Sequence, residues 1–333
     1  MRRPPSLVRL SRISRLFCDP LHRSSVEFRG IRESMKCEVE PVPATRNSPD
    51  VPLGRKSSAI PGPAGEPAHW SPEAPPAGLL IINADDWGRD RETTDCTLEC
   101  VLQGTVSSVS AMVFMADSER AAAIARERGI DVGLHLNFTT PFSVANPPAA
   151  LMERQRELAE RLLRHRLSQV LFYPRLMRSF QYVVSAQQDE FCRLYGALPA
   201  RLDGHHHMHL CANVLLGRLL PHGTVIRRNF SFQLGEKSFG NRFYRKVVDR
   251  MLARRHRLTD FFFSLSPLEP PGRLERIFSL ARRFVVEVET HPLDAEEYRF
   301  LAGGEIFRWA GDCPIARRFW VPRCGGAQQE ADQ

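Results

Sequence analysis

The sequence predicts an α/β fold: a closed or partly closed, TIM-like (β/α) barrel of about seven parallel strands. Three observations lead there. From Leu79 onward, short apolar or β-branched runs alternate about seven times with stretches rich in helix formers. The alternation fills about 250 residues, a usual barrel size, and parallel strands need covering helices as their connections. An open doubly wound sheet is the alternative, but neither GxGxxG nor GxxxxGK[ST] occurs to support its usual nucleotide-binding role.

Residues 1–77 stand apart. They hold 13 of the 25 prolines and little hydrophobic periodicity, and PGPAGEPAHWSPEAPPAG has the composition of an extended linker. They are expected to be a disordered Pro/Arg-rich extension, with the catalytic domain over 78–325. LLIINA then suits a strand buried on both faces, followed by a helix in TTDCTLECVLQ that closes at Gly104. TVSSVSAMVF is the next strand. DSERAAAIARERG is a helix capped by Asp/Ser and stopped at Gly129. DVGLHLNF follows as a strand, then a long helix over about 151–171. SAQQDEFCRLYG begins with a Ser185–Gln188 capping pattern and ends at Gly196. ARLDGHHHMHL is a strand and CANVLLGRLL a helix. TVIRR, DFFFSLS and RFVVEVET are strands, with helices at about 241–256 and 271–282.

The net charge of +8 does not mark a nucleic-acid protein, because residues 1–60 carry 12 Lys/Arg against 6 Asp/Glu. The remaining residues carry 34 against 32, so the body is nearly neutral. The eight cysteines are irregularly spaced without a CxxC pair, as expected of free thiols in a reducing, cytoplasmic setting. Cys96 and Cys100 read as core packing rather than half a metal site. No run approaches the length of a membrane span. The Arg- and Ser-rich start, with Leu7, Leu10, Ile13 and Phe17 near one helical face, has some features of a transit peptide; a plain extension is the preferred reading. A homodimer is one arrangement the sequence allows.

Four segments at strand ends carry chemistry, where active sites of parallel α/β folds gather. In NADDWG a strand runs into Asp85 and Asp86, whose side chains would alternate to opposite sides. In GLHLN, Gly133, His135 and Asn137 share the face opposite Val132, Leu134 and Leu136. In DGHHHMH, a strand would place Asp203, His205, His207 and His209 on one face. Three imidazoles and a carboxylate in one cavity need polar partners or a metal. In EVETHP the strand ends at His291, stopped by Pro292, a platform for a general acid or base.

Together NADDWG, GLHLNFT, DGHHHMH and EVETHP resemble the YdjC-like carbohydrate deacetylase family, which includes chitooligosaccharide deacetylases and deacetylases associated with hopanoid synthesis. The resemblance covers about residues 78–300. Its fourth motif departs: family members tend to carry a hydrophobic residue where Glu289 stands, and Gly where Leu293 stands. The resemblance implies a distorted (β/α) barrel and hydrolysis of the N-acetyl group of an amino sugar, on an oligosaccharide or glycolipid. It makes Asp85 the general base and His291 the general acid, with one divalent metal ion held by Asp86, His135 and His205. Mixed N/O ligation suits Mg²⁺ or Zn²⁺, and equally Mn²⁺ or Co²⁺. His207 and His209 would support the site or touch substrate, and Trp87 would stack on a sugar or pack in the core. A metal-dependent phosphoesterase on the same ligands would need basic residues at the strand ends, for which Arg227 and Arg228 are the close candidates. A non-catalytic metal-binding module would not need the Asp85–His291 pair.

Overall fold

The computed structural model describes residues 78–321, apart from 166 and 234. The expected extension over 1–77, with its helical-face pattern, and positions 322–325 of the expected domain lie outside the described residues. Seven parallel strands form one curled sheet: β1 (Leu79–Trp87), β2 (Ser108–Ala111), β3 (Val132–Leu136), β4 (Arg201–Gly204), β5 (Val225–Ile226), β6 (Phe261–Ser264) and β7 (Val285–Thr290). Their order is β5-β4-β3-β2-β1-β7-β6. Read as a ring, this is sequence order with a single break between β5 and β6, the order of a barrel and not of a doubly wound sheet. No β5–β6 ladder closes the break among the described residues; scattered backbone bonds span it, among them Ile226 N to Arg257 O at 3.0 Å and Ser231 N to Phe262 O at 2.8 Å. The result is a curled half-barrel.

Helices cover the outside: α1 (Arg91–Leu102), α2 (Ser118–Arg128), α3 (Ala149–Arg164), α4 (Met177–Tyr195), α5 (Ala212–Leu216), α6 (Phe239–Ala253), α7 (Gly272–Ala281), α8 (Ala295–Ala302) and α9 (Glu305–Ala310). Gly129 and Gly196 end α2 and α4 in the left-handed conformation, as the sequence predicts. Two expected caps are not caps. Asp117 makes no capping bond and instead pairs with Arg120, and Ser185 lies inside α4, which begins eight residues earlier at Met177. The apolar face of Phe180, Val183, Val184 and Phe191 carries α4 back past the Ser185 signal.

Alternation along β1 divides the molecule. Leu80, Ile82 and Ala84 join the main core beneath the helices, while Ile81, Asn83 and Asp85 turn inward. At the start of the strands Ile81 packs with Val285 and Ala316, with Leu79, Phe319 and Trp320 against them. The chain after α9 supplies this floor, anchored by Leu80 N to Pro314 O at 3.1 Å and Ala316 N to Leu80 O at 2.7 Å. One level up, Arg201 lies across the interior, with its guanidinium 4.4 Å from the Phe319 ring centroid and bonded to Val109 O and Asn83 Oδ1. Gly133 makes room for it, since a Cβ there would stand 2.7 Å from Arg201 Nε. Above Arg201 the interior is polar up to the carboxyl ends of the strands.

Gly133→Ala should therefore displace Arg201 and lower the unfolding free energy by about 1–3 kcal/mol, the usual cost of overpacking. Urea denaturation measures this; an unchanged midpoint would mean that Arg201 yields without loss.

Candidate active site

The end of β1 builds the first wall. Pairing with β2 slips between Ala84 and Trp87, and Asp86 adopts a left-handed φ of 64°. Strict alternation, which would send Asp85 and Asp86 to opposite sides, therefore fails. Both carboxylates are buried and converge on one imidazole: His135 Nε2 lies 4.0 Å from Asp85 Oδ2 and 3.4 Å from Asp86 Oδ1. Trp87, fully buried, packs in the core and offers no face to a sugar.

The HHH segment also departs from the expected strand. β4 stops at Gly204, and His205–Leu210 is a kinked 3-10 segment with His206 and His207 at φ of 53° and 56°. A non-glycine residue in this region costs about 1–3 kcal/mol, so the surrounding contacts must hold it there. Of the side chains expected on one face with Asp203, His205, His207 and His209 diverge instead, and His206 between them takes a direction of its own. His205 Nδ1 meets Asp86 Oδ1 at 2.9 Å. His206 Nδ1 lies 3.1 Å from Thr139 Oγ1. His207 Nε2 is 3.6 Å from Glu289 Oε1, with its ring against Phe230. His209 Nε2 donates to the Arg227 carbonyl at 3.0 Å; burial pushes this ring down to about 3, so it is a neutral structural group. Gly204 is needed for the turn because a Cβ would stand 3.0 Å from the His209 backbone nitrogen and Cβ.

Beneath these groups lies Arg227, 2% exposed, from the chain just after β5. It grips Asp85 with two nitrogens at 2.6 and 2.7 Å. It also reaches Asp203 at 2.9 Å, Glu287 at 2.7 Å and Glu289 at 3.3 Å. Asp203 in turn accepts from His135 Nδ1 at 2.8 Å and Ser110 Oγ at 2.6 Å, while Asn83 ties Ser108, Ser110 and Asp85 together. Sequence reasoning weighed Arg227 only as a phosphate clamp. Here it is taken up by internal carboxylates, and Arg228 is bonded to Asp249 and to the carbonyls of Thr259 and Asp260. Two alternate acids on one buried strand, Glu287 and Glu289, were the available signal that a buried cation must face them.

The charges settle accordingly. Burial opposes ionisation of Asp86, but His205 and His135 hold its carboxyl well below the ordinary range. Burial likewise opposes a charged His135, yet Asp85 and Asp203 raise it to about 10. His291 follows β7, with its backbone nitrogen bonded to Glu297 at 2.6 Å. Against the pull of burial, the carboxylates of Asp85, Glu289 and Asp86 raise its imidazole above the ordinary value.

Among the described residues, two groups could hold a cation: Asp86, His135 and His205, and separately Asp85, His135 and Asp203, each with donor atoms within 4.8 Å of one another. The first fits better. Asp203 engages Nδ1 of His135 and leaves Nε2 for a ligand bond, a usual support for a metal-binding imidazole. Asp85 and Asp203, in contrast, are both claimed by the Arg227 guanidinium, whose charge repels a cation. Cys100 is buried in the core, and neither it nor Cys96 belongs to a ligand cluster.

The model of the YdjC-like protein family matches residues 79–301. A chitooligosaccharide deacetylase from Serratia marcescens is 32% identical over 133 residues, covering 40% of this chain and 51% of its own. A carbohydrate deacetylase from Mus musculus is 31% identical over 144 residues, covering 42% and 45%. The chain spans about half the length of the curated relatives it matches. A crystal structure described as a cellobiose-phosphate cleavage protein from Enterococcus faecalis V583 superimposes with a TM-score of 0.52 at 18% identity, covering 72% of this chain and 96% of that one. This last likeness concerns the fold alone.

Glu287 gives a pH prediction. Burial raises its carboxyl to about 7, and its Oε2 has no hydrogen-bond partner. The folded state thus keeps a proton that the unfolded chain releases near 4.5. This stabilisation is complete below about pH 4.5 and is lost as pH rises through about 7, by at most about 1.4 kcal/mol per pH unit. Glu287→Gln should flatten that part of the stability–pH curve in urea titrations between pH 5 and 8; an unaltered slope would contradict it.

Proposed function

The chain belongs to the YdjC-like protein family, and from that membership we propose that it is a metal-dependent carbohydrate deacetylase removing the acetyl group from an N-acetylated amino sugar. One observation carries the proposal: the Asp86, His135 and His205 donors converge from three separated segments, with Asp85 and His291 beside them. The names of the Serratia and mouse relatives support the substrate class.

Asp86, His135 and His205 would hold one divalent ion, Mg²⁺ or Zn²⁺, which when bound supplies Lewis acidity toward a carbonyl and makes a water easier to deprotonate. The cluster suits a cation, since Asp85, Asp86 and Asp203 surround His135, with Arg227 and Arg89 as their arginine partners among the described residues. Asp85 acts as general base. Its two oxygens are fixed by Arg227 and Asn83, which hold the carboxylate in place 4.0 Å from His135 Nε2. His291, its charged form favoured by Asp85, Glu289 and Asp86, delivers the proton that the departing amine needs. Glu289 holds His207 and Arg227 and forms an acidic wall next to His291.

Acetate release from N-acetylglucosamine oligomers and N-acetylated glycolipids tests the proposal. Chelation should abolish turnover and a divalent ion should restore it. Asp85→Asn and His291→Ala should each lower kcat by about 10²–10⁴, the usual contribution of a positioned acid or base. Chelator-resistant release, or full activity in Asp85→Asn, would overturn it. His205→Ala should lower bound metal measured by elemental analysis, with the folded midpoint retained.

A further inference from the structure

The solvent side of α6 has an unusual composition. Phe239, Phe243 and Val247 follow one another at four-residue spacing and are 82%, 60% and 50% exposed. Each step of four turns the helix by about 40°, so the three make one stripe. The two phenyl rings stack at 6.2 Å between centroids instead of folding back into the protein. Exposed apolar residues scattered singly are ordinary; a stacked aromatic pair continued by an aliphatic residue on one face is not.

The same face is basic. Lys246, Arg250 and Arg254 are exposed and Arg242 is half-buried, all at helical positions flanking or interleaving the stripe. The one acid of the helix, Asp249, is buried on the opposite side and bonded to Arg228 and Asn229, so it offsets none of this charge at the surface. An amphipathic helix with phenylalanines on its apolar stripe and Lys/Arg alongside is the composition that lies in a lipid–water interface. No helix among the described residues is long and apolar enough to cross a membrane, so the contact would be peripheral.

We propose that this face of α6 docks on an anionic lipid surface, the phenylalanines entering the headgroup boundary while Arg242, Lys246, Arg250 and Arg254 pair with lipid phosphates. Charge complementarity selects this occupant. Residues 1–60 of the chain carry +6 and would be repelled, and a second copy of the same face would set like charges against each other. A continuous apolar stripe favours acyl-chain contact over nucleic acid. The opposite side of the helix is linked to the candidate site. The chain from β5 to α6 carries Phe230, 4.6 Å from the His207 ring, then Phe232, 6.2 Å from Phe230, and Arg245 of α6 lies over Phe232 at 5.1 Å.

The full chain is tested by co-sedimentation with phosphatidylcholine–phosphatidylglycerol vesicles and with phosphatidylcholine alone. Binding only to the anionic vesicles is expected. Phe239→Ser with Phe243→Ser should weaken it at least tenfold, and Arg242→Ser with Lys246→Ser about fivefold per charge removed. None of the four side chains belongs to the candidate site, so hydrolysis of soluble N-acetylglucosamine oligomers should not change. Four results would overturn the inference: no binding to anionic vesicles; binding unaffected by either double variant, which would place it in the basic segment before residue 60; displacement by single-stranded oligonucleotide with the same variant dependence; or a halved solution mass in the phenylalanine variant, which would make the face a contact between copies. Absence of acetate release would refute the deacetylase reading and leave the vesicle result standing.

Discussion

A single buried guanidinium organises the centre of this protein. Arg227 stands among Asp85, Asp203, Glu287 and Glu289 and makes a close ion pair with each of them. Removing one partner from such a cluster leaves an uncompensated charge in a medium that solvates it poorly, at a cost of about 3–5 kcal/mol. Its reach is also architectural. The four acids belong to β1, β4 and β7, and Arg227 itself follows β5, so the cluster ties strands across the open side of the sheet, where no strand ladder forms among the described residues. The carboxylate set outnumbers its cation, and that imbalance passes upward. It raises His135 and His291 and makes the strand ends a place where positive charge is welcome.

The residues above this cluster are held in shapes they would not adopt alone. Asp86, His206 and His207 all have positive φ. Asp and His tolerate that region better than most side chains, but they remain there because their partners are fixed from outside the segment. Asp86 is held by Arg89 and His205, His206 by Thr139, and His207 by Glu289 and the Phe230 ring. The two consecutive left-handed histidines let a short run send four imidazoles to four different partners. Only the first reaches the Asp86–His135 group.

The interior is graded along the strand direction. An apolar floor is completed by Ala316, Phe319 and Trp320, which lie beyond the family match ending at 301. Arg201 and the Asn83–Ser108–Ser110 bonds form a neutralised middle layer, and the acidic mouth follows. The middle-layer side chains below the reactive groups are buried, so each charge there keeps its strength. The exposed face of α6 lies at the other extreme, where apolar side chains meet solvent together with a row of bases.

Local patterning determined much of this protein. The alternation of apolar runs with helix-forming stretches specified parallel strands under helices, and glycines at 129 and 196 marked helix ends. Four polar motifs at strand ends named the residues that converge, because a parallel sheet brings its carboxyl ends together whatever the details. Periodicity failed where the backbone left regular geometry. The bulge at Asp86 and the kink after Gly204 broke the two-residue repeat, so face assignments made from spacing misplaced Asp85, His207 and His209. Only the tertiary structure decided which arginine turned inward, that Trp87 belongs to the core, and that His209 is a neutral brace. The reason is physical: a side chain's periodicity is a property of its own segment, whereas the partner of a buried charge is set by distant strands that the fold alone makes neighbours.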